Sequence, residues 1–355
     1  MAKTNDIVRV AIVGAGGIST YHAAALQKTP GAELAAVCDV DEARAAGFAA
    51  AHGVSKALTD YEELVDLPEI DAVVITAPNY LHAPIALAAL RAGKHVLCEK
   101  PMATTAEDAA AMAEAAQKSG RVFMMAYNRR FSGEAQLLKQ YVDAGDLGRI
   151  YAVRAGWVRR VGIPGWGSWF RRRDQAGGGP LIDLGVHMLD LAMWMLGFPK
   201  VLSVSGATYA EFGPTGRGYW GTPAPGSVCD VEDLALAMIR LEGGATIMLE
   251  TSWASFTEKE SSYLTLLGTK AGADLDPPRI RTERFGRQVD LALDVPKLDG
   301  YEGETAHFIQ CVREGRQPMA TAGQGYQLIR ILRAIYASAE QGREVELAAL
   351  PRLAE

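Results

Sequence analysis

The chain has 355 residues, long enough for one or two domains with sizeable cores, which excludes disulfide-stapled miniproteins and short binding modules. Hydrophobic residues make up 49% and charged residues 22%, the balance of an ordinary globular protein rather than a disordered one. With 36 basic against 42 acidic side chains the formal charge is −6, so nothing draws the chain generally toward nucleic acid or anionic lipid, and neither is expected as a partner.

No apolar run is long enough to cross a bilayer; the Ala- and Leu-rich run that starts at Ala83 is stopped at Arg91. The polar first seven residues lead straight into a strand-like run, which predicts a cytoplasmic protein without a signal peptide. Cys38, Cys98, Cys229 and Cys311 are far apart and form no C-x-x-C pair, so they read as buried reduced thiols.

From residue 9 to 126, β-branched runs alternate with Ala-rich stretches, predicting strands at 9–13, 34–38, 72–76, 95–98 and 122–126, with a weaker one near Ala57. Helices are expected at 19–28, 41–52, 81–92 and 105–119. This is the rhythm of a parallel α/β sheet covered on both faces, whose ligands bind beyond the carboxyl ends of the strands. After Asn128 the rhythm changes. Strands are expected at 150–158, 201–209, 234–241, 245–253 and 262–267, with Gly243-Gly244 as a tight two-residue hairpin, so this half reads as an antiparallel sheet. One helix, 181–196, interrupts it, and two more are expected near 303–313 and 323–341. The Gly/Pro-rich stretch 212–230 reads as a long loop, either bordering a substrate site or simply solvated.

Gly14-Ala15-Gly16-Gly17-Ile18-Ser19 lies between the first strand and the first helix. There glycine permits a tight turn and close approach of a pyrophosphate, whose charge the helix start attracts. Ser19 stands where a third Gly or Ala is usual and is small enough to keep helix and strand close. Asp39, twenty residues on, can accept hydrogen bonds from the adenosine ribose and would repel a 2′-phosphate, so NAD is favoured over NADP. Arg44 reads as a solvated side chain that could relax this preference.

Glu99-Lys100-Pro101 closes the strand at 95–98. A lysine at that level can hydrogen-bond a substrate hydroxyl and stabilise the alkoxide character that develops as hydride leaves, and Pro101 biases it toward extended geometry. Further on, Gly177-Gly178-Gly179-Pro180 precedes a helix carrying Asp183, His187 and Asp190. Helical spacing puts Asp183 and His187 on one face, where the histidine suits a general base and the carboxylate can orient it or hold substrate. The glycines are expected to let a cofactor or another chain come close. A metal on Asp183, His187 and Asp190 is the alternative; Lys100 already offers the charge it would bring, so no metal is expected, and Asp190 reads as a packing residue.

Taken in order, these motifs resemble the glucose-fructose oxidoreductase, inositol dehydrogenase and rhizopine catabolism (Gfo/Idh/MocA) family of NAD(P)-dependent oxidoreductases, over essentially the whole chain. The resemblance implies an N-terminal Rossmann domain, 1–127, and a C-terminal α/β domain, 128–355, whose large, mostly antiparallel open sheet forms a subunit interface in a homodimer or homotetramer. It implies catalytic roles for Lys100, Asp183 and His187, with His187 as proton acceptor. It further implies cofactor contacts at Asn79, His82, Glu99, Lys100 and Trp169 beside the glycine turn, and a cofactor or substrate contact at Asn128.

The expected activity is oxidation of a secondary hydroxyl of a sugar, sugar derivative or cyclitol, with hydride passing to NAD. A glycosidase that retains its nicotinamide and a non-catalytic cofactor sensor are the alternatives. Trp157, Arg159, Trp166 and Trp169 are pocket candidates for the polyol or sugar.

Overall fold

The parallel half of the chain is built from strands β1 (Val8–Val13), β2 (Ala32–Cys38), β3 (Lys56–Leu58), β4 (Ala72–Ile75), β5 (His95–Glu99) and β6 (Phe123–Ala126). They alternate with helices α1 (Gly17–Lys28), α2 (Glu42–His52), α3 (Tyr61–Val65), α4 (His82–Arg91) and α5 (Ala106–Ser119). The computed structural model describes residues 7–165, 168–221 and 228–347; Trp166 and residues 222–227 of the 212–230 loop lie outside them. The described residues form two compact units, the first of residues 7–131 with Leu298–Tyr326, the second of Ser132–Lys297 with residues 327–347. The expected single division at 127/128 cuts the chain once, whereas each unit draws on two separate segments.

In the first unit the six strands are all parallel, in the order β3-β2-β1-β4-β5-β6. All of β4 is buried, as a strand covered on both faces must be. Crossovers leave β1 in opposite directions toward β2 and β4, so the carboxyl ends of these strands flank the switch point where such sheets bind ligands. The helices start on local signals: Asp41 caps α2 by accepting from Arg44 N–H, and Thr105 caps α5 by accepting from Asp108 N–H.

The second unit contains α6 (Gly133–Asp143), β7 (Ile150–Val158), the short α7 (Arg173–Ala176), α8 (Val186–Met195), β8 (Val201–Tyr209), β9 (Leu234–Leu241), β10 (Thr246–Ser252), β11 (Ser261–Gly268), β12 (Ala271–Leu275), β13 (Pro278–Arg284) and β14 (Arg287–Ala292). Helix α9 (Gly300–Glu314) returns to the first unit, where it packs on α1. Helix α10 (Ala322–Gln341) and β15 (Val345–Glu346) complete the described chain.

The second sheet has nine strands in the order β14-β13-β12-β11-β7-β10-β9-β8-β15, antiparallel except where β7 meets β10. Alternate residues such as Val153, Ala155, Ile247, Leu249, Leu264 and Leu266 are buried on one face, and α8 packs against β7, β10 and β11. The opposite face exposes Leu236 and Met248.

Helices α3, α6 and α7 and strand β15 were not expected from the sequence, and three further details differ from it. The β9–β10 connection is a three-residue turn, Glu242–Gly244, closed by Leu241 N–H donating to the Ala245 carbonyl. The expected helix at 181–196 opens with a π turn, Leu181–Gly185, before α8. Strands β12 to β14 have no counterpart in the prediction, because β12 is short and contains no β-branched residue and β13 and β14 are polar and largely exposed.

Candidate active site

The turn after β1 is held from both sides. Gly14 N–H donates to the Cys38 carbonyl at 2.8 Å, and Thr76 Oγ1 donates to the Gly14 carbonyl at 2.6 Å. Gly14 has φ +101°, and a Cβ there would lie 2.6 Å from Ala77 N, so both conformation and neighbours require glycine. At Gly16 and Gly17 the opposite holds: a Cβ would meet nothing within 4 Å. The start of α1 thus faces open space, with no acidic side chain in its first turn to compete for an anion. Ser19 is fully buried and donates to the Gly16 carbonyl at 2.5 Å.

Asp39 is buried at the end of β2. Its Oδ2 accepts from Ala15 N–H at 2.8 Å and its Oδ1 from Asp41 N–H at 3.0 Å, which ties the carboxylate to the glycine turn. Arg44 is half-exposed, as expected of a solvated side chain, and its guanidinium also lies 3.3 Å from Asp39 Oδ1 and 3.2 Å from Asp41 Oδ2. These residues fit a dinucleotide, with room at Gly16 and Gly17 for a pyrophosphate and a fixed carboxylate for the ribose.

At the end of β5, Glu99 is buried against α1. Its Oε1 lies 2.8 Å from His22 Nε2, and its Oε2 accepts from Lys100 N–H at 3.1 Å. Burial alone would raise the Glu99 pKa, but the His22 hydrogen bond and the charges of His22 and Lys100 hold it below the usual carboxylate range. His22 in turn meets the edge of Tyr301 from α9, ring centroids 5.5 Å apart. Lys100 is therefore carried on a backbone secured by a buried acid, and its bond to Pro101 is cis.

His82, buried at the start of α4, spans the Pro101 carbonyl at 2.7 Å from Nδ1 and the Ala77 carbonyl at 2.9 Å from Nε2, and burial lowers its pKa. Each ring nitrogen faces a backbone carbonyl, and the single N–H of the neutral ring donates to one of them, so His82 ties the Lys100-Pro101 segment or the end of β4 to the start of α4. Asn79 is buried in the turn just before it. Asn128 opens a single turn, Asn128–Phe131, and its Oδ1 is buried without a hydrogen-bond partner among the described residues. Such an atom is ordinarily satisfied by water or a ligand.

In the second unit, the stretch 181–195 is buried throughout except at Asp183 and His187. Asp183 sits in the π turn, a widened geometry that recurs at functional sites. Its Oδ2 accepts from the indole N–H of the fully buried Trp253 at 3.0 Å. The His187 ring lies 6.1 Å from that of Trp157, whose far neighbour Arg159 stacks between Trp157 and Trp220, 5.1 Å from each ring centre. Trp169 stacks on Phe170 at 4.0 Å. Asp190 is buried, as a packing residue would be.

The glycines before this turn serve a purpose other than the one expected. A Cβ at Gly178 would lie 1.9 Å from the Tyr336 hydroxyl, and one at Gly179 would lie 2.0 Å from the Glu232 carbonyl. The protein's own groups fill the space that an approaching cofactor or chain was expected to use. Among the described residues, no three His, Cys, Asp or Glu side chains gather as a metal site, and no helix is long and apolar enough to cross a membrane.

Residues 8–127 match the family model described as GFO/IDH/MocA oxidoreductase family, NAD-binding Rossmann fold, and residues 139–347 match the C-terminal alpha/beta domain of the same family. The chain belongs to the Gfo/Idh/MocA oxidoreductase family. Among curated members it is 38% identical to D-glucoside 3-dehydrogenase of Escherichia coli (strain K12), covering 98% of this chain and 99% of the relative. It is 30% identical to inositol 2-dehydrogenase 2 of Saccharopolyspora erythraea, covering 98% of each. Among solved structures, levoglucosan dehydrogenase in complex with NADH and levoglucosan superposes with a TM-score of 0.87 at 25% identity, covering 96% of this chain and 99% of that one.

Within this Gfo/Idh/MocA chain, the first unit brings the glycine turn together with Asp39 and Glu99 together with Lys100, while the second brings Asp183 together with Trp253. Sequence reasoning missed His22, Trp253 and Glu232. A histidine one helical turn after Ser19 was a signal for the first, and a tryptophan closing a predicted strand was one for the second. Nothing local marked Glu232.

Proposed function

We propose that this protein is an NAD-dependent dehydrogenase that oxidises a secondary hydroxyl of a sugar, sugar derivative or cyclitol. A glucoside is the first substrate to try, given the D-glucoside 3-dehydrogenase resemblance. The observation that carries this is the exposure pattern of 181–195: in a stretch otherwise buried, only an acid and an imidazole reach solvent. Buried polar groups are retained where packing or hydrogen bonding demands them, whereas two polar side chains opening from an apolar helix suit proton transfer.

Gly14 to Ile18, Asp39, Asn79, Asn128 and Trp169 are assigned to the cofactor, which when bound supplies the hydride acceptor, and His82 and Glu99 shape its site through the Lys100-Pro101 segment they hold. Lys100 donates a hydrogen bond to the substrate oxygen and stabilises its developing negative charge. His187 takes the hydroxyl proton, and Asp183, held by Trp253, orients the imidazole and grips a neighbouring hydroxyl. Asn128 offers a further contact to substrate or cofactor.

The test is a panel of methyl glucosides, anhydrosugars and inositols with NAD⁺ and NADP⁺, followed by absorbance of the reduced cofactor. Stoichiometric NADH with at least one of them is expected. Release of free sugar without NADH would instead support a glycosidase with retained nicotinamide, and binding of NAD⁺ without turnover of any of them a sensor.

The exposed face of the second sheet carries a hollow of about 520 Å³ lined by Leu236, Met238, Met248 and Tyr263 together with the opposite charges of Arg154 and Glu250. An apolar patch flanked by both signs of charge complements a second copy of itself, so a homodimer or homotetramer through this face is proposed, to be checked by light scattering.

A further inference from the structure

Glu232 follows the 212–230 loop and precedes β9, far in sequence from any proposed site residue, yet its buried carboxylate holds the turn that carries Asp183. Oε1 accepts from Gly179 N–H at 3.0 Å, from Leu181 N–H at 3.2 Å and from the Tyr336 hydroxyl at 2.8 Å, while Oε2 accepts from Gly179 N–H at 3.0 Å. Asp183 N–H donates in turn to the Gly179 carbonyl at 3.0 Å. One residue, Gly179, therefore separates the Glu232 carboxylate from the backbone of Asp183, its N–H facing the carboxylate and its carbonyl facing the Asp183 N–H. The surrounding residues keep that link taut: Gly178 and Gly179 lie too close to Tyr336 and Glu232 for any side chain, and Arg333 donates to the Gly177 carbonyl at 2.6 Å.

We infer that Glu232 is a positioning residue for the dehydrogenase reaction, setting the π turn so that Asp183 meets the indole of Trp253 and faces the reacting hydroxyl. The inference rests on the assignment of Asp183 proposed above. Its physical basis is that a carboxylate accepting from two amides of one turn fixes that turn's orientation as well as its location. Reach matters here more than charge, since three of the four contacts converge on one oxygen that an amide carbonyl could replace.

The experiment compares Glu232→Gln, which keeps reach and loses charge, with Glu232→Asp, which keeps charge and loses one methylene of reach. In the full-length protein, Glu232→Asp is expected to lower kcat roughly 10- to 100-fold, as for other groups that orient a functional side chain from behind. KM for the sugar should move less than kcat, and NAD⁺ affinity should stay within about twofold of wild type. Glu232→Gln should recover most of the lost kcat.

Amide hydrogen exchange at Gly179, Leu181 and Asp183 should accelerate in the aspartate variant and not in the glutamine variant. Wild-type kcat in Glu232→Asp, or equal impairment of both variants, would overturn the inference. If Glu232→Asp does not fold, Tyr336→Phe removes one donor and no backbone contact: a smaller kcat loss with faster exchange at Gly179 supports the inference, and wild-type values for both overturn it. Should the wild-type enzyme oxidise no sugar in the panel, the functional assignment fails by itself, and the exchange pattern still decides whether Glu232 sets the turn.

Discussion

Two glycine-rich turns, one in each unit, show that the same residue can signify opposite things. At 14–17 the protein leaves space: beyond Gly14, wedged against Ala77, a side chain at Gly16 or Gly17 would project into an opening. At 178–179 the protein takes the space itself, with Tyr336 and Glu232 pressed against the backbone. The glycines of the first turn leave room beside the backbone, and those of the second let the protein's own groups pack there. Glycine marks close approach to a backbone, and only the surroundings say whether the approaching atom belongs to a ligand or to the fold.

The largest effect that tests this contrast concerns chemistry beside the open turn. Lys100→Met should lower kcat by about 10²–10³, the loss expected when one donor to a developing oxyanion is removed. NAD⁺ binding by fluorescence titration should stay within about twofold, because the glycine turn and Asp39 are untouched. Unchanged turnover would remove Lys100 from the mechanism.

Alanine at the two turns should separate them directly. Gly179→Ala drives a Cβ onto the Glu232 carbonyl and should destabilise the fold by about 3 kcal/mol or more, read by urea denaturation. Gly16→Ala should change stability by less than about 0.5 kcal/mol while weakening NAD⁺ roughly tenfold. Equal stability losses in both variants would erase the distinction.

A smaller effect concerns cofactor choice. Asp39→Ala should weaken NAD⁺ by roughly tenfold or more, the loss of a charge-assisted hydrogen bond, and should narrow the preference against NADP⁺ because Arg44 remains to meet a 2′-phosphate. Adding Arg44→Ala should cancel the gain in NADP⁺ affinity.

The smallest effect is on pH dependence. Burial, helped by Arg121, lowers the pKa of His95 from 6.5 to about 4, and its Nδ1 accepts from Val122 N–H at 2.9 Å, which requires the neutral ring. The unfolded chain therefore binds the proton first, so this contribution is intact above pH 6.5 and is lost as pH falls toward 4. The buried His82 and half-buried His307 shift in the same direction. Thermal melts should fall across that window, and His95→Asn, which can still accept from Val122, should flatten part of the slope.

Much of the first unit could be read from local pattern. The strand, glycine turn and helix of the cradle and the Glu-Lys-Pro run rest on signals within a few residues of one another, and the acid at the end of the second strand on its spacing of twenty residues from Ser19. The second unit was legible where hydrophobic alternation was strong, as in β7 to β11, and not where strands were short or polar. The β13–β14 hairpin turns through Phe285 and Gly286, both at positive φ, a conformation that a phenylalanine does not announce. The 181–196 stretch was recognisable as a helix from its apolar run, but its π opening depends on what grips Gly179.

From sequence alone came the two kinds of sheet, the NAD cradle and the candidates Lys100, Asp183 and His187, because periodicity, turn chemistry and motif spacing act over short stretches of chain. Tertiary structure alone decided who holds whom. His22 reaches Glu99 across 77 positions, Trp253 reaches Asp183 across 70, Glu232 reaches Gly179 across 53, and Tyr336 reaches Glu232 across 104. Such partners are chosen by packing in three dimensions, where a buried polar atom must find a complement wherever the fold brings one near.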